Sequence, residues 1–142
     1  MAKATDIAEE IKTALAAYPT VSSGGWTVER TWLPEMTREK AAIGYIAVVP
    51  LSVEVARESR SLDAHLYQVD VHVCKVIADM TSVSEVDGLV GFGETIVDFL
   101  CNLQLSGTPI ERVEQTPLWS PEMVQGQTCF ATTIQIFVRD VR

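Results

Sequence analysis

The sequence contains few cysteines, and their spacing matches no disulfide or metal-binding pattern. Its 142 residues include three, Cys74, Cys101 and Cys129, which lie far apart in apolar surroundings. No CxxC or Cys/His spacing links them, so neither a disulfide framework nor a zinc module is expected. We predict three buried free thiols in a reducing compartment.

Basic residues are also scarce. The chain has 11 Lys and Arg against 19 Asp and Glu, which gives a net charge of −8 and a pI near 4.7. This balance argues against a continuous basic footprint for DNA. An acidic surface repels phosphate, which suits the wall of a pore through which nucleic acid passes as well as it suits any cytosolic protein.

Long hydrophobic runs are missing as well. No apolar stretch reaches the roughly 18–20 residues that a membrane span requires, and the opening "MAKATDIAEEIK" lacks the hydrophobic region of a signal peptide. The chain is 47% hydrophobic and 21% charged, as in ordinary globular proteins. We therefore expect a soluble protein made in the cytoplasm, with residues 1–142 forming one domain around one core.

Hydrophobic periodicity predicts two helices and about five strands. The helices are an amphipathic one that ends before "YPTVSSGG" and a second in "TSVSEVDGLVGFGETIVDFLCNLQ". The strands lie in "WTVERTWL", "YIAVVPLSVEV", "HLYQVDVHVCKVIA", the start of "IERVEQTPLWSPEMVQGQ" and "TCFATTIQIFVRDV", and "PEMTREKAAIG" is predicted to be a loop. The order αβββαββ favours an α+β fold, a mostly antiparallel sheet packed on one face by both helices.

One connection in this predicted sheet is unusually long. Pro50 lacks an N–H group and must lie at a sheet edge, a bulge or a strand end. The link from Pro50 to Leu66 exceeds the two to five or so residues of an ordinary hairpin loop. We predict that its strands continue beyond the sheet as a projecting β-hairpin arm.

Motifs that carry catalysis or bind cofactors are missing or weak. "GLVGFGET" has the order GxxGxG inside a predicted helix, so we interpret its glycines as packing positions and not as a phosphate loop. His65 and His72 are expected on opposite faces of a strand and so do not share a metal. The sequence therefore predicts no catalytic, cofactor-binding or metal-binding residue, and a Cys–His nucleophile is left as an unsupported alternative.

The charges of the arm indicate a different kind of site. Arg57, Glu58 and Arg60 place both signs of charge on it, and alternating charges in a subunit contact fix register and partner choice. We predict that these three residues form an interface, with Arg38 and Lys40 as secondary candidates. The alternative interpretation is a mobile polar loop.

Four stretches in succession carry a family resemblance. They are "IAEEIKTAL", then "IAVVPLSVEVARESRSLDAHLYQVDVHVCKV", in which a strand ending near a proline leads through an Arg-bearing loop into a Tyr-started strand, then "EVDGLVGFGETIVDFL" and "PLWSPEMVQGQTCFATTIQIFV". Over nearly all its length the chain resembles the tail terminator, tail-completion and head–tail joining proteins of long-tailed phages. The shared features are loose patterns of elements, not a strict motif.

The resemblance implies a structural role in the virion. Such a protein forms a hexameric ring that ends the tail tube and presents the surface that joins the head, with no catalytic residue and no cofactor. Its partners would be copies of itself, the tail tube protein and a head-completion or connector protein, while DNA passes through the lumen without specific binding. The virion neck would be its location, and the arm would contact a neighbouring subunit or the tube.

Three other functions remain open from the sequence. A head-side connector or adaptor would bind the portal instead of the tube. A small cytosolic binding protein would dimerise through a sheet edge and hold a ligand pocket. An enzyme with an unrecognised site would require a polar-lined cleft.

Overall fold

One mixed sheet with helices on both faces forms the fold of this computed structural model, which describes residues 3–32, 38–77, 83–105, 110–115 and 129–141. The described elements are α1 (Lys3–Ala17), α2 (Pro19–Ser23), β1 (Thr27–Arg30), α3 (Arg38–Ile43), β2 (Tyr45–Arg57), β3 (Asp63–Val76), α4 (Val83–Cys101), β4 (Ile110–Gln115) and β5 (Cys129–Val141). The strand order in the sheet is β1-β2-β3-β5-β4. None of the described helices is long and apolar enough to cross a membrane.

The α+β class is as predicted, but the element order differs. β1 pairs with β2 in parallel, while the other three pairings are antiparallel. The structure adds α2 and α3, which replace a predicted turn and part of a predicted loop. Pro19 begins α2, where its missing N–H is no disadvantage. Helices of five and six residues are too short to show a helical period, so the order αβββαββ missed both.

The main core lies between the sheet and two helices, α1 and α4, on one of its faces. Buried apolar side chains of the helices are Ile7, Ile11, Leu15, Ile96 and Leu100, and those of the sheet include Ile46, Val48, Val69, Val71, Val73, Ile134, Ile136 and Val138. Burying one such side chain contributes about 1.5–3 kcal/mol. Tyr18, which directly follows α1, stacks on Phe99 of α4 with ring centroids 4.1 Å apart.

The opposite face of the sheet carries α3. Ala41 of this helix packs with Cys74, Cys129 and Ala131. Cys74 follows Val73, whose side chain belongs to the main core, so Cys74 points to the other face. The prediction that all helices pack on one face is therefore wrong for α3.

The thiols differ in exposure. Cys74 and Cys129 are buried thiols, as predicted, whereas Cys101 is exposed, so the prediction of burial was wrong for Cys101. Burial, with a smaller contribution from Cys129, raises the pKa of the Cys74 thiol to about 12. Cys74 is therefore protonated at neutral pH and is a poor nucleophile.

The glycines of α4 are not equivalent. A Cβ atom added to Gly88 or Gly91 would meet nothing within 4 Å, whereas one at Gly93 would lie 3.0 Å from Nε2 of Gln115. That amide donates a hydrogen bond to Thr132 Oγ1 over 3.0 Å. The interpretation as packing glycines therefore holds only for Gly93.

We expect the Gly91→Ala variant to be more stable than wild type by about 0.5–1 kcal/mol, because alanine loses less backbone entropy in a helix. Gly93→Ala should gain less or lose stability, since its methyl group displaces the Gln115 amide from Thr132. Urea unfolding of both variants measures the difference. Equal gains would show that the Gln115 contact does not constrain Gly93.

Candidate interaction surface

Pro50 determines where the pairing of β1 with β2 ends. Thr27 N donates to Gly44 O over 2.9 Å and Thr31 N donates to Val48 O over 3.0 Å. In this parallel ladder the next donor of β2 would be residue 50, which as proline has no N–H. The register of β2 with β3 then shifts between Pro50 and Ser52. Pro50 thus lies at an irregularity on a free edge, as predicted.

Beyond this proline, β2 presents an unpaired edge, residues 51–57, which we call the distal edge. In the part of the chain that the structure describes, no strand pairs with its outer side. Its apolar residues are exposed, with 56% of Leu51, 50% of Val53 and 55% of Val55 accessible to solvent. An exposed apolar strand edge is a template for pairing with another chain.

The hairpin at the end of β2 has a short loop. The strands remain paired up to Arg57 and Asp63, and the turn is held by hydrogen bonds from the Glu58 and Ser59 amides to Leu62 O, of 2.9 and 3.0 Å. β3 also pairs along this stretch with β5, whose last residues lie beside Ala64 and its neighbours. A third strand stabilises what would be a marginal isolated hairpin.

The predicted interface residues Arg57, Glu58 and Arg60 lie together at this turn. Arg57 Nε is 3.6 Å from Asp63 Oδ1, and its side chain is 72% exposed. Glu58 forms an ion pair with Arg139 of β5, and Arg60 is exposed and forms no ion pair with another described residue. Exposed pairs of this kind contribute about 0–1 kcal/mol, so Arg57 and Arg60 are accessible to a partner at little energetic cost.

The secondary candidates Arg38 and Lys40 belong to α3, and their side chains lie outside the described residues. α3 precedes the first residue of β2, whereas Arg57 is its last. At about 3.3 Å per residue, roughly 40 Å of strand separates the two ends. The structure does not bring Arg38 and Lys40 together with the turn.

A shallow cleft lies beside the turn, on the face of the sheet away from α1 and α4. Its volume is about 380 Å³, and its lining residues are Glu54, Ala56, Glu58, Ala64, Leu66, Glu111 and Arg139. The floor is apolar, and the rim has three carboxylates and one guanidinium group. Residues from four strands line it, so the sequence alone gave no signal for it.

The two histidines of β3 are too far apart to form one metal site. His65 is paired with Asp140 and His72 with Thr133, which places the two histidines on opposite faces of β3. Among the described residues no three His, Cys, Asp or Glu side chains are arranged to hold a metal ion. The histidines therefore do not act together on one ion.

His72 makes stability sensitive to acid. Burial lowers the pKa of its imidazole, against the opposing effect of the Asp70 carboxylate, and Nδ1 lies 3.1 Å from Thr133 Oγ1. The unfolded chain thus binds a proton more readily than the folded one, so stability is full above about pH 6.5 and falls as pH decreases below it. Denaturant unfolding at pH 7.5 and 5.5 should show this loss.

The His72→Gln variant should lose less stability over this interval than wild type. His65→Gln is the matched control, because it removes a histidine of the same strand and leaves His72 in place. If His72→Gln and wild type lose stability equally between the two pH values, His72 is not the responsible group.

Comparison with known proteins finds no family model that matches the chain and no curated protein of similar sequence. The fold and the surface define an α+β domain with a free strand edge next to a charged hairpin turn. These features, together with the resemblance in the sequence, carry the functional proposal.

Proposed function

We propose that the protein is a structural subunit that assembles into a ring and ends the tail tube of a long-tailed phage, where it also provides the surface for head–tail joining. The observation that carries this proposal is the long exposed end of the β2–β3 hairpin, with accessible Arg57 and Arg60 beside an unpaired apolar edge. In this proposal the hairpin end, residues 50–66, which the sequence predicts to be a projecting arm, contacts a neighbouring subunit or the tube.

Charge supports the same role. The net charge of −8 would let DNA pass through the ring without adhering to it. A ring requires a heterologous interface, in which two different surfaces of one subunit meet. The hairpin end supplies one such surface.

Native mass spectrometry across a concentration series, with negative-stain imaging of large species, tests the proposal. We expect a six-membered ring with an open centre, formed by the protein alone or after addition of tail tube protein. Tubes grown in its presence should stop at a defined length. A protein that stays monomeric with tube protein and leaves tube growth unchanged would refute this role.

The arm has its own test in the double variant Arg57→Glu, Arg60→Glu. Reversal of two exposed charges in the contact should raise the concentration for half-maximal ring formation by about tenfold or more, because like charges across an interface oppose binding. The control Lys3→Glu, Lys12→Glu makes the same change in net charge on α1. If both variants form rings and end tubes as wild type does, the arm is not the contact.

The unpaired edge also favours a second candidate, a binding protein that dimerises edge to edge. This candidate predicts a strict dimer at all concentrations and no effect on tube growth. The same concentration series separates it from the ring. The head-side connector would form a ring too, but would bind portal in place of tube.

A further inference from the structure

The two edges of the sheet fit each other. β4 is the last strand at the far edge within the described ranges. β2 to β3, β3 to β5 and β5 to β4 are all antiparallel pairings, so β4 runs opposite to β2. When two copies stand side by side in the same orientation, β4 of one copy therefore meets β2 of the next as an antiparallel neighbour.

The position and length of the two edge strands restrict where β4 of one copy can pair with β2 of the next. β1 occupies the outer side of β2 up to Val48, so an incoming strand must pair beyond it. The distal edge, residues 51–57, and the six residues of β4 are of nearly equal length. Pairing along Arg112 to Gln115, the regular part of β4 that follows its register shift, is thus compatible with β1.

The side of the sheet to which each side chain points further restricts the register of pairing between two copies. Val53 is paired with Tyr67 and Val113 with Ile136, and all four point towards α1 and α4, because Tyr67 and Ile136 belong to that core. Glu54 and Arg112 point to the other face. A continuous sheet must therefore place Val53 opposite Val113 or shift by two residues.

Charge selects among these registers. With Val53 opposite Val113, Glu54 lies opposite Arg112, an attractive cross-strand pair. A shift by two in one direction places Glu54 opposite Glu114, which is repulsive. A shift by two in the other places Gln115 beside Val49, next to the end of β1. Only the unshifted register gives Glu54 an opposite charge and also keeps clear of β1.

We propose that copies of this protein join head to tail by continuing the sheet, with β4 of one copy paired to the distal edge of the next and Glu54 opposite Arg112. The inference rests on the ring of the proposed function and names its subunit contact. It places Val53, which is half exposed in the single chain, beside Val113 of the next copy.

The register also implies a stagger between copies. Within one chain, Val113 is paired with Ile136, Ile136 with Val69, and Val69 with Pro50. Val113 and Pro50 therefore lie at the same height across the sheet. Pairing with Val53 of the next copy displaces that copy by about 7 Å along the strands. A staggered contact closes into a ring when the strands tilt against its axis, as in a barrel, and otherwise continues as a filament.

Charge exchange tests the contact. Glu54→Arg and Arg112→Glu each create a like-charge pair, so each variant alone should need at least about tenfold more protein for half-maximal assembly. The double variant should assemble again. An equimolar mixture of the two single variants should also assemble, because alternating copies restore both opposite-charge pairs. Thermal melting of each variant checks folding, since Arg112 also lies 4.1 Å above the Phe137 ring.

Cross-linking tests the register. In a Cys101→Ser background, which removes the exposed thiol, Val53→Cys with Val113→Cys should give a ladder of covalent oligomers under oxidation. Val113→Cys alone should give none. Dimers from Val53→Cys alone would instead show edges paired two by two, and would overturn the head-to-tail contact.

The two proposals fail in distinguishable ways. Rings that form and end tubes, but are insensitive to the charge exchange and give no ladder, would refute this contact and leave the tail role standing. A ladder without any effect on tube growth would support the contact and refute the tail role. A wild-type protein that remains monomeric at all concentrations and after addition of tube protein would refute both.

Discussion

Gly44→Ala is expected to destabilise the protein by about 2–6 kcal/mol, as measured by urea unfolding. Gly44 has φ of +110°, a conformation in which an L side chain is strained by about 1–3 kcal/mol. An added Cβ would also lie 2.8 Å from two ring carbons of Trp26, and overpacking of this kind costs about 1–3 kcal/mol more. Since domains are stable by about 5–15 kcal/mol, this change would remove a large share of the free energy of unfolding.

Gly25→Ala is the matched control for this effect. Its φ is +74°, but an added Cβ would meet nothing within 4 Å, so only the cost of the left-handed backbone, about 1–2 kcal/mol, applies. Losses of the same size at both positions would show that Trp26 does not constrain Gly44. Displacement of Trp26 by the added Cβ at residue 44 would also disturb the packing of α4, because Trp26 stacks on Phe92 of this helix with ring centroids 4.2 Å apart.

Phe130→Ala is expected to have a comparably large effect, about 3–5 kcal/mol, because it leaves a cavity that the surrounding structure fills only in part. Phe130 is fully buried and packs with Ile77 and Leu89. It therefore joins β5 to α4 and to the end of β3, and denaturant unfolding should show the loss with little change in slope.

Val141→Ala provides the comparison on the same strand. Val141 is 45% exposed and lies beside Ala64 near the hairpin turn, so the expected change is within about 0.5 kcal/mol. A large loss at Val141 would mean that the end of β5 carries more of the fold's stability than its exposure indicates. A small loss at Phe130 would mean that the cavity collapses.

The parts of the fold that could be predicted are those with a local period. α1 and α4 have apolar residues at helical spacing, and β2, β3 and β5 have long β-branched runs, so each was found from the sequence with boundaries a few residues off. α3 and the parallel pairing of β1 with β2 were not found. A six-residue helix shows too little of a period, and the direction of a pairing depends on where the chain returns.

Some features of the candidate surface could also be predicted from the sequence, and others could not. Charge in the sequence indicated that Arg57, Glu58 and Arg60 would be exposed, because such residues are rarely buried. It did not indicate that Glu58 is joined to Arg139, or that Val53 and Val55 would be exposed. The alternating pattern of these two valines predicts one buried face, but in the described part of the chain no strand pairs with the outer side of the distal edge, where both are exposed.

Sequence alone determined the helices and strands of this protein that are long enough to show a period, and the position at which Pro50 interrupts an edge. It did so because side-chain periodicity and the missing N–H of proline act within a few residues. The tertiary structure was needed to show which edges carry no further strand among the described residues, and that Glu54 and Arg112 point to the same face of the sheet. Those relations depend on the registers of strands far apart in the chain.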